Sequence, residues 1–114
     1  MRTRMLPAMS VILLGLAACA GTGEKDYDRH RMSAIGVSAA DPGVYVFEAK
    51  ISPKFPADSA AAEQVRLDWL ADWMTRRDFC SGGYEVLERR PFAPDEPNPY
   101  RSDLRYTVKC AEPD

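Results

Sequence analysis

Residues 58–80 read DSAAAEQVRLDWLADWMTRRDFC, and this stretch decides the fold. Asp58 or Ser59 can accept hydrogen bonds from the free amides of a first helical turn, and the three alanines that follow favour helix from its start. Stepping about 100° per residue places Ala62, Val65, Leu67, Trp69, Leu70, Trp73 and Met74 in one broad sector. Gln64, Asp68, Asp72, Thr75 and Asp78 fall in the opposite one. The pattern predicts an amphipathic helix over about 58–80, wide enough on its apolar side to cover a small sheet, with Gly82 and Gly83 ending it. Trp69 and Trp73 lie on adjacent turns of that side, which points to core packing before a stacking platform for a sugar or cofactor.

The sheet is read from the segments around the helix. Asp41-Pro42-Gly43 is a turn signal, and 44–52 (VYVFEAKIS) then alternates, with Tyr45, Phe47, Ala49 and Ile51 on one side. Pro53 and Pro56 close this first strand. The second, 84–92 (YEVLERRPF), alternates less cleanly and is charged near its end, as an edge strand is. The third, 104–110, is the clearest: Leu104, Tyr106, Val108 and Cys110 share one face, and Arg105, Thr107 and Lys109 the other. An α+β fold follows, one helix on a three-stranded antiparallel sheet of order two-three-one.

At the start of the chain, Arg2 and Arg4 precede an apolar run from about Met9 that closes in Leu16-Ala17-Ala18-Cys19. Charged, apolar and small-residue regions in that order make a secretion signal, and the run is too short to span a bilayer. Leu-Ala-Ala-Cys resembles the lipobox of bacterial lipoproteins. The resemblance implies removal of residues 1–18 and lipidation of Cys19 as the mature first residue. Because Ala20 stands where an inner-membrane retention aspartate would be, it further implies the periplasmic face of the outer membrane of a Gram-negative bacterium.

With residues 1–18 removed, 13 basic and 17 acidic residues leave a net charge of −4. That balance disfavours nucleic acid and gives no basic attraction to anionic lipid, so membrane association would rest on acyl chains. If Cys19 carries lipid, Cys80 and Cys110 remain as an even pair in an oxidising compartment, which favours a disulfide over a metal site or reactive thiols. Closing a loop of about thirty residues, such a bond stabilises by roughly 3–4 kcal/mol in the chain-entropy model. It also fits the topology, since a down-running helix and a down-running third strand end at the same edge.

Residues 19–40 hold small and charged residues without a sustained period, and are expected to form a lipidated tether to a domain spanning 41–114. Ile35 and Val37 could begin a short strand, and the sole histidine, His30, lies in this polar segment. That placement leaves no credible serine, histidine and acid trio, and no glycine-rich phosphate loop is present, so no catalytic residue, cofactor or metal ligand is assigned. Asp68 and Asp72, at i and i+4, read as a solvated face before a chelating pair. Arg76-Arg77 suit the negative end of the helix, with a phosphate or lipopolysaccharide contact as the alternative.

The proline-rich connection 91–101 is the most unusual polar segment of the domain. Phe92, Asp95, Glu96, Tyr100 and Arg101 make it the candidate partner-binding loop. The expectation is a lipid-anchored, non-enzymatic envelope protein that binds or supports another envelope protein. The alternative is an inhibitor or ligand-binding module for a periplasmic hydrolase, glycan or ion.

Overall fold

The computed structural model describes residues 15–112, with side chains described from residue 23. The chain is α+β: α1 (Gly15–Met32), β1 (Ser33–Val37), β2 (Val44–Ala49), α2 (Ala60–Arg76), β3 (Tyr84–Pro91) and β4 (Leu104–Cys110). The strands form one antiparallel sheet of order β1-β2-β4-β3. The three strands read from sequence, β2, β3 and β4, stand in the predicted order, and the best-patterned strand, β4, is interior. Two elements lie outside the expected three-stranded, one-helix plan, although Ile35 and Val37 mark the place of one of them. A fourth strand, β1, covers the edge that β2 would otherwise present, and α1 occupies most of the segment expected to be a tether.

Ser59 starts α2 by accepting a hydrogen bond from the Ala62 amide at 3.1 Å. The helix ends at Arg76, four residues short of the predicted limit, and not at the glycines. Asp78 takes a left-handed conformation (φ 55°), so that its amide reaches the Thr75 carbonyl (3.2 Å) and the Phe79 amide the Met74 carbonyl (2.9 Å). This pair of bonds is a Schellman motif, in which an aspartate fills the position glycine usually takes. The strand expected over 44–52 also stops early, at Ala49, and Ile51 is exposed instead of joining the core.

Alternation in β2 and β4 puts Phe47, Ala49, Leu104, Tyr106 and Val108 under Ala62, Trp69, Leu70 and Met74 of α2, and all nine are buried. Trp69 is 2 % exposed and meets Phe55 edge-on at 5.0 Å. In β3 the register shifts between Val86 and Glu88, which leaves Leu87 as an exposed bulge. The bulge is the physical reason for that strand's imperfect alternation. Cys80 and Cys110 are disulfide-bonded with their Cα atoms 4.9 Å apart, tying the segment after α2 to the end of β4.

Two arginines are buried in this core. Arg66 projects from the middle of the apolar side of α2 and is 0 % exposed. Its guanidinium donates to the carbonyls of Phe55 (3.2 Å) and Pro56 (3.0 Å), and its Nε to Glu63 Oε1 (2.9 Å). Glu63 also accepts from the Tyr106 hydroxyl (2.9 Å) and from Arg89 Nε (3.2 Å), joining α2, β3 and β4. Burial pushes the Tyr106 hydroxyl above its ordinary pKa, the hydrogen bond from Arg89 opposes that rise, and the neighbouring Glu63 carboxylate adds to it.

Arg29, 1 % exposed, does the corresponding work for α1. It pairs with Asp26 at 2.8 Å, approaches Asp72 of α2 at 3.9 Å and lies over the Trp73 ring at 4.9 Å. Asp26 in turn reaches Arg76 at 3.0 Å, and Met32 is buried behind them. The end of α1 is therefore docked beside α2 and on the same side of the sheet. Among the described residues, no helix is long and apolar enough to cross a membrane.

Candidate functional site

The last turns of α1 and α2, the start of β1 and the residue after β2 converge on one cleft of about 330 Å³. Local hydrogen bonds fix its walls. The Ser33 hydroxyl donates to the Arg29 carbonyl (2.7 Å), satisfying a free acceptor at the end of α1, and accepts from the Trp73 indole N–H (2.9 Å). The Lys50 amide donates to the Met32 carbonyl (2.8 Å), which brings Lys50 against the same helix end. Trp73 forms one wall, with the His30 ring edge-on at 5.3 Å and the Arg77 guanidinium 5.7 Å from its centre.

The fourth side comes from the long connection. The Asn98 side chain accepts from the Ser102 amide (2.8 Å) and donates to its carbonyl (2.7 Å), while the Ser102 hydroxyl donates to Glu48 (2.6 Å). Two residues before this anchor, Tyr100 stands 61 % exposed at the cleft.

Charge sets this cleft apart from the rest of the surface. Arg29, Lys54, Arg66, Arg76, Arg89, Arg90 and Arg105 each have a carboxylate within 4 Å. Six described cations have none: Lys25, Arg101 and Lys109 stand elsewhere, whereas Arg31, Lys50 and Arg77 all line the cleft, whose lining contains no aspartate or glutamate. Their places in the last turn of α1 and at the C-cap of α2 account in part for Arg31 and Arg77, because cations there face the negative end of a helix. Lys50 follows a strand and has no such reason.

A second hollow, of about 310 Å³, runs between α1 and α2 over Phe55, Val65 and Trp69. Its rim is mainly acidic, with Glu24, Asp28, Asp68 and Asp72 against Lys25 and Lys54. Asp68 and Asp72 are engaged separately: Asp68 accepts from Gln64 (3.1 Å), and Asp72 lies near Arg29. Among the described residues, no group of three His, Cys, Asp or Glu side chains is placed to hold a metal ion.

The five residues of the candidate loop are distributed over different surroundings. Glu96 pins the loop to the sheet face opposite the helices, accepting from Arg90 at 2.6 and 3.1 Å and from the Ala93 amide at 2.6 Å. The Arg90 hydrogen bond, with the amide second, holds its carboxyl down at about 2. Phe92 is half-buried, and Asp95 and Arg101 are exposed. Of the five, Tyr100 alone lines the cationic cleft. The Cys19 side chain and residues 1–14 lie outside the described residues.

Sequence reasoning singled out Arg77 and Tyr100 but missed the cleft, which is assembled from residues between positions 30 and 102 and has no local motif. The available signal was the cluster Arg29-His30-Arg31 in an otherwise acidic chain. No family model, curated protein or solved structure matches the chain.

Proposed function

We propose that the chain is a lipid-anchored, non-enzymatic envelope protein, exported and acylated at Cys19, whose domain binds another component on the periplasmic face of the outer membrane. The observation that carries this reading is Leu16-Ala17-Ala18-Cys19 after a short apolar run. The Cys80–Cys110 disulfide is in keeping with it, because such bonds persist in oxidising compartments. Cleavage before Cys19 would leave the mature chain beginning within α1, so the anchor would join the domain through a helix docked by Arg29.

Labelled fatty acid fed to cells should enter the wild-type protein and not Cys19→Ser, whose signal should also be cut poorly. Equal labelling of both proteins would remove the lipoprotein reading.

The cationic cleft favours one form of the alternative, a ligand-binding module. Purification from detergent-solubilised envelope separates the roles. A stoichiometric membrane-protein partner supports an accessory subunit, whereas a soluble hydrolase supports inhibition.

A further inference from the structure

We propose that the cleft formed by Arg31, Lys50, Trp73, Arg77 and Tyr100 binds a phosphate group. The proposal names a ligand class for the binding role proposed above and does not depend on acylation. Three of the six described cations that have no carboxylate partner line this one cleft, and no acidic side chain lines it with them. Cations that share a cleft without a carboxylate favour an anionic ligand over a neutral one. A carboxylate brings one negative charge, whereas a phosphate monoester brings nearly two and three acceptor oxygens, the closer match to three cationic donors.

The other polar groups of the cleft fit this assignment. The Ser33 and Ser102 hydroxyls are already committed to protein partners, and the His30 Nε2 lies 3.1 Å from the Arg29 guanidinium. Arg31 lies over the Tyr27 ring at 5.5 Å and Arg77 over Trp73 at 5.7 Å, contacts that leave their N–H donors free, so the cationic side chains and the exposed Tyr100 remain to meet a ligand. If α1 is continuous from Cys19, Arg31 stands about 18 Å further along its axis. A phosphate ester free in the compartment or carried on a wall polymer reaches that position readily, and a headgroup of the anchoring bilayer reaches it if the helix lies along the surface.

The test uses the full acylated protein in neutral detergent micelles, with inorganic phosphate as probe and chloride matched for ionic strength. Trp73 serves as the fluorescent reporter, since Trp69 is buried in the core. Saturable quenching by phosphate and not by chloride is expected. Lys50→Gln and Arg77→Gln should each weaken it about tenfold, the scale of one charged hydrogen bond. Lys109→Gln removes an equally unpaired charge from the opposite face of the sheet and should leave binding unchanged.

No saturable response beyond chloride overturns the proposal, as does equal weakening by Lys109→Gln and Lys50→Gln. Adding phosphatidate to the micelles identifies the source. Displacement of inorganic phosphate by the lipid at equal phosphate concentration assigns a headgroup, and absence of displacement assigns a soluble or wall-borne ester. Loss of phosphate binding with acylation intact would reject this ligand and leave the anchoring reading standing.

Discussion

Arg66 and Arg29 are both almost wholly buried arginines on helices that face the same sheet, yet they hold their helices in different ways. Arg66 gives donors to two backbone carbonyls and to Glu63, which is fixed in turn by Tyr106 and Arg89. Arg29 relies on Asp26, on the adjacent His30 ring at 3.1 Å, on a longer approach to Asp72 and on the Trp73 face, and its Nε has no hydrogen-bond partner among the described residues. A satisfied buried charge fixes one arrangement, whereas an orphaned donor subtracts from the stability of its own contact. The sheet with α2 should therefore behave as the more rigid body, and α1 as the more weakly attached element.

Removing the better-satisfied arginine should have the largest effect. Arg66→Ala empties a buried site, leaves the Pro56 carbonyl without its donor and takes one donor each from Glu63 and the Phe55 carbonyl, and should destabilise the domain by roughly 3–5 kcal/mol in urea unfolding. Trp69→Ala belongs to the same class, at roughly 3–5 kcal/mol for an emptied aromatic site. A loss below about 1 kcal/mol for Arg66→Ala would show that the network contributes little, and the contrast with Arg29 would fail.

Reduction of the Cys80–Cys110 bond should rank next, at roughly 3–4 kcal/mol, because it frees a loop of about thirty residues in the unfolded chain. Thiol reagents should find neither cysteine before reduction and both after it. Reduced protein with an unchanged unfolding midpoint would place the stability of the domain in the core alone.

The contrast is sharpened by removing Arg29. Arg29→Met keeps much of the packing on Trp73 and abolishes the orphaned Nε, while Asp26 retains Arg76. Its unfolding midpoint should stay near wild type, within about 1 kcal/mol, since apolar replacement of an imperfect buried ion pair is often neutral. Arg66→Met should remain clearly destabilising. In hydrogen exchange of the unmodified protein, amides of α1 should exchange before those of α2; equal protection would make the two helices one cooperative unit.

The same difference explains what could be read from the residues. The apolar side of α2, the alternation of β2 and β4 and the pairing of the cysteines each repeat one local rule, and the antiparallel order of three strands followed from them. Arg66 broke the rule: it sits between Trp69 and Leu70 in angle, at the centre of the apolar side, and only its hydrogen bonds reveal why a charge is tolerated there. In α1 the docked positions are Asp26, Arg29 and Met32, a spacing of three that is helical but mostly polar, and Gly21 and Gly23 lower helix propensity. Five residues with a glycine at Gly36 made β1 equally faint. The cleft was illegible for a further reason, since its charge density exists only after the three segments that carry Arg31, Lys50 and Arg77 are brought together.

The smallest expected effect is local and concerns the loop that Glu96 ties down. Its carboxyl is held at about 2 by the Arg90 hydrogen bond and the Ala93 amide, below the ordinary carboxylate value that it regains in the unfolded chain. A group whose pKa is lowered on folding stabilises the fold above its unfolded value, and that contribution is lost as the pH falls toward the folded one. Protection of the Ala93 amide should thus persist through pH 4 and disappear only as the pH approaches 2. Glu96→Gln should remove that protection at neutral pH while leaving the melting temperature and the β2–β4 amides nearly unchanged. A Glu96→Gln variant that unfolds globally would mean that the loop is part of the rigid body, and the division between a satisfied sheet with α2 and loosely held attachments would have to be redrawn.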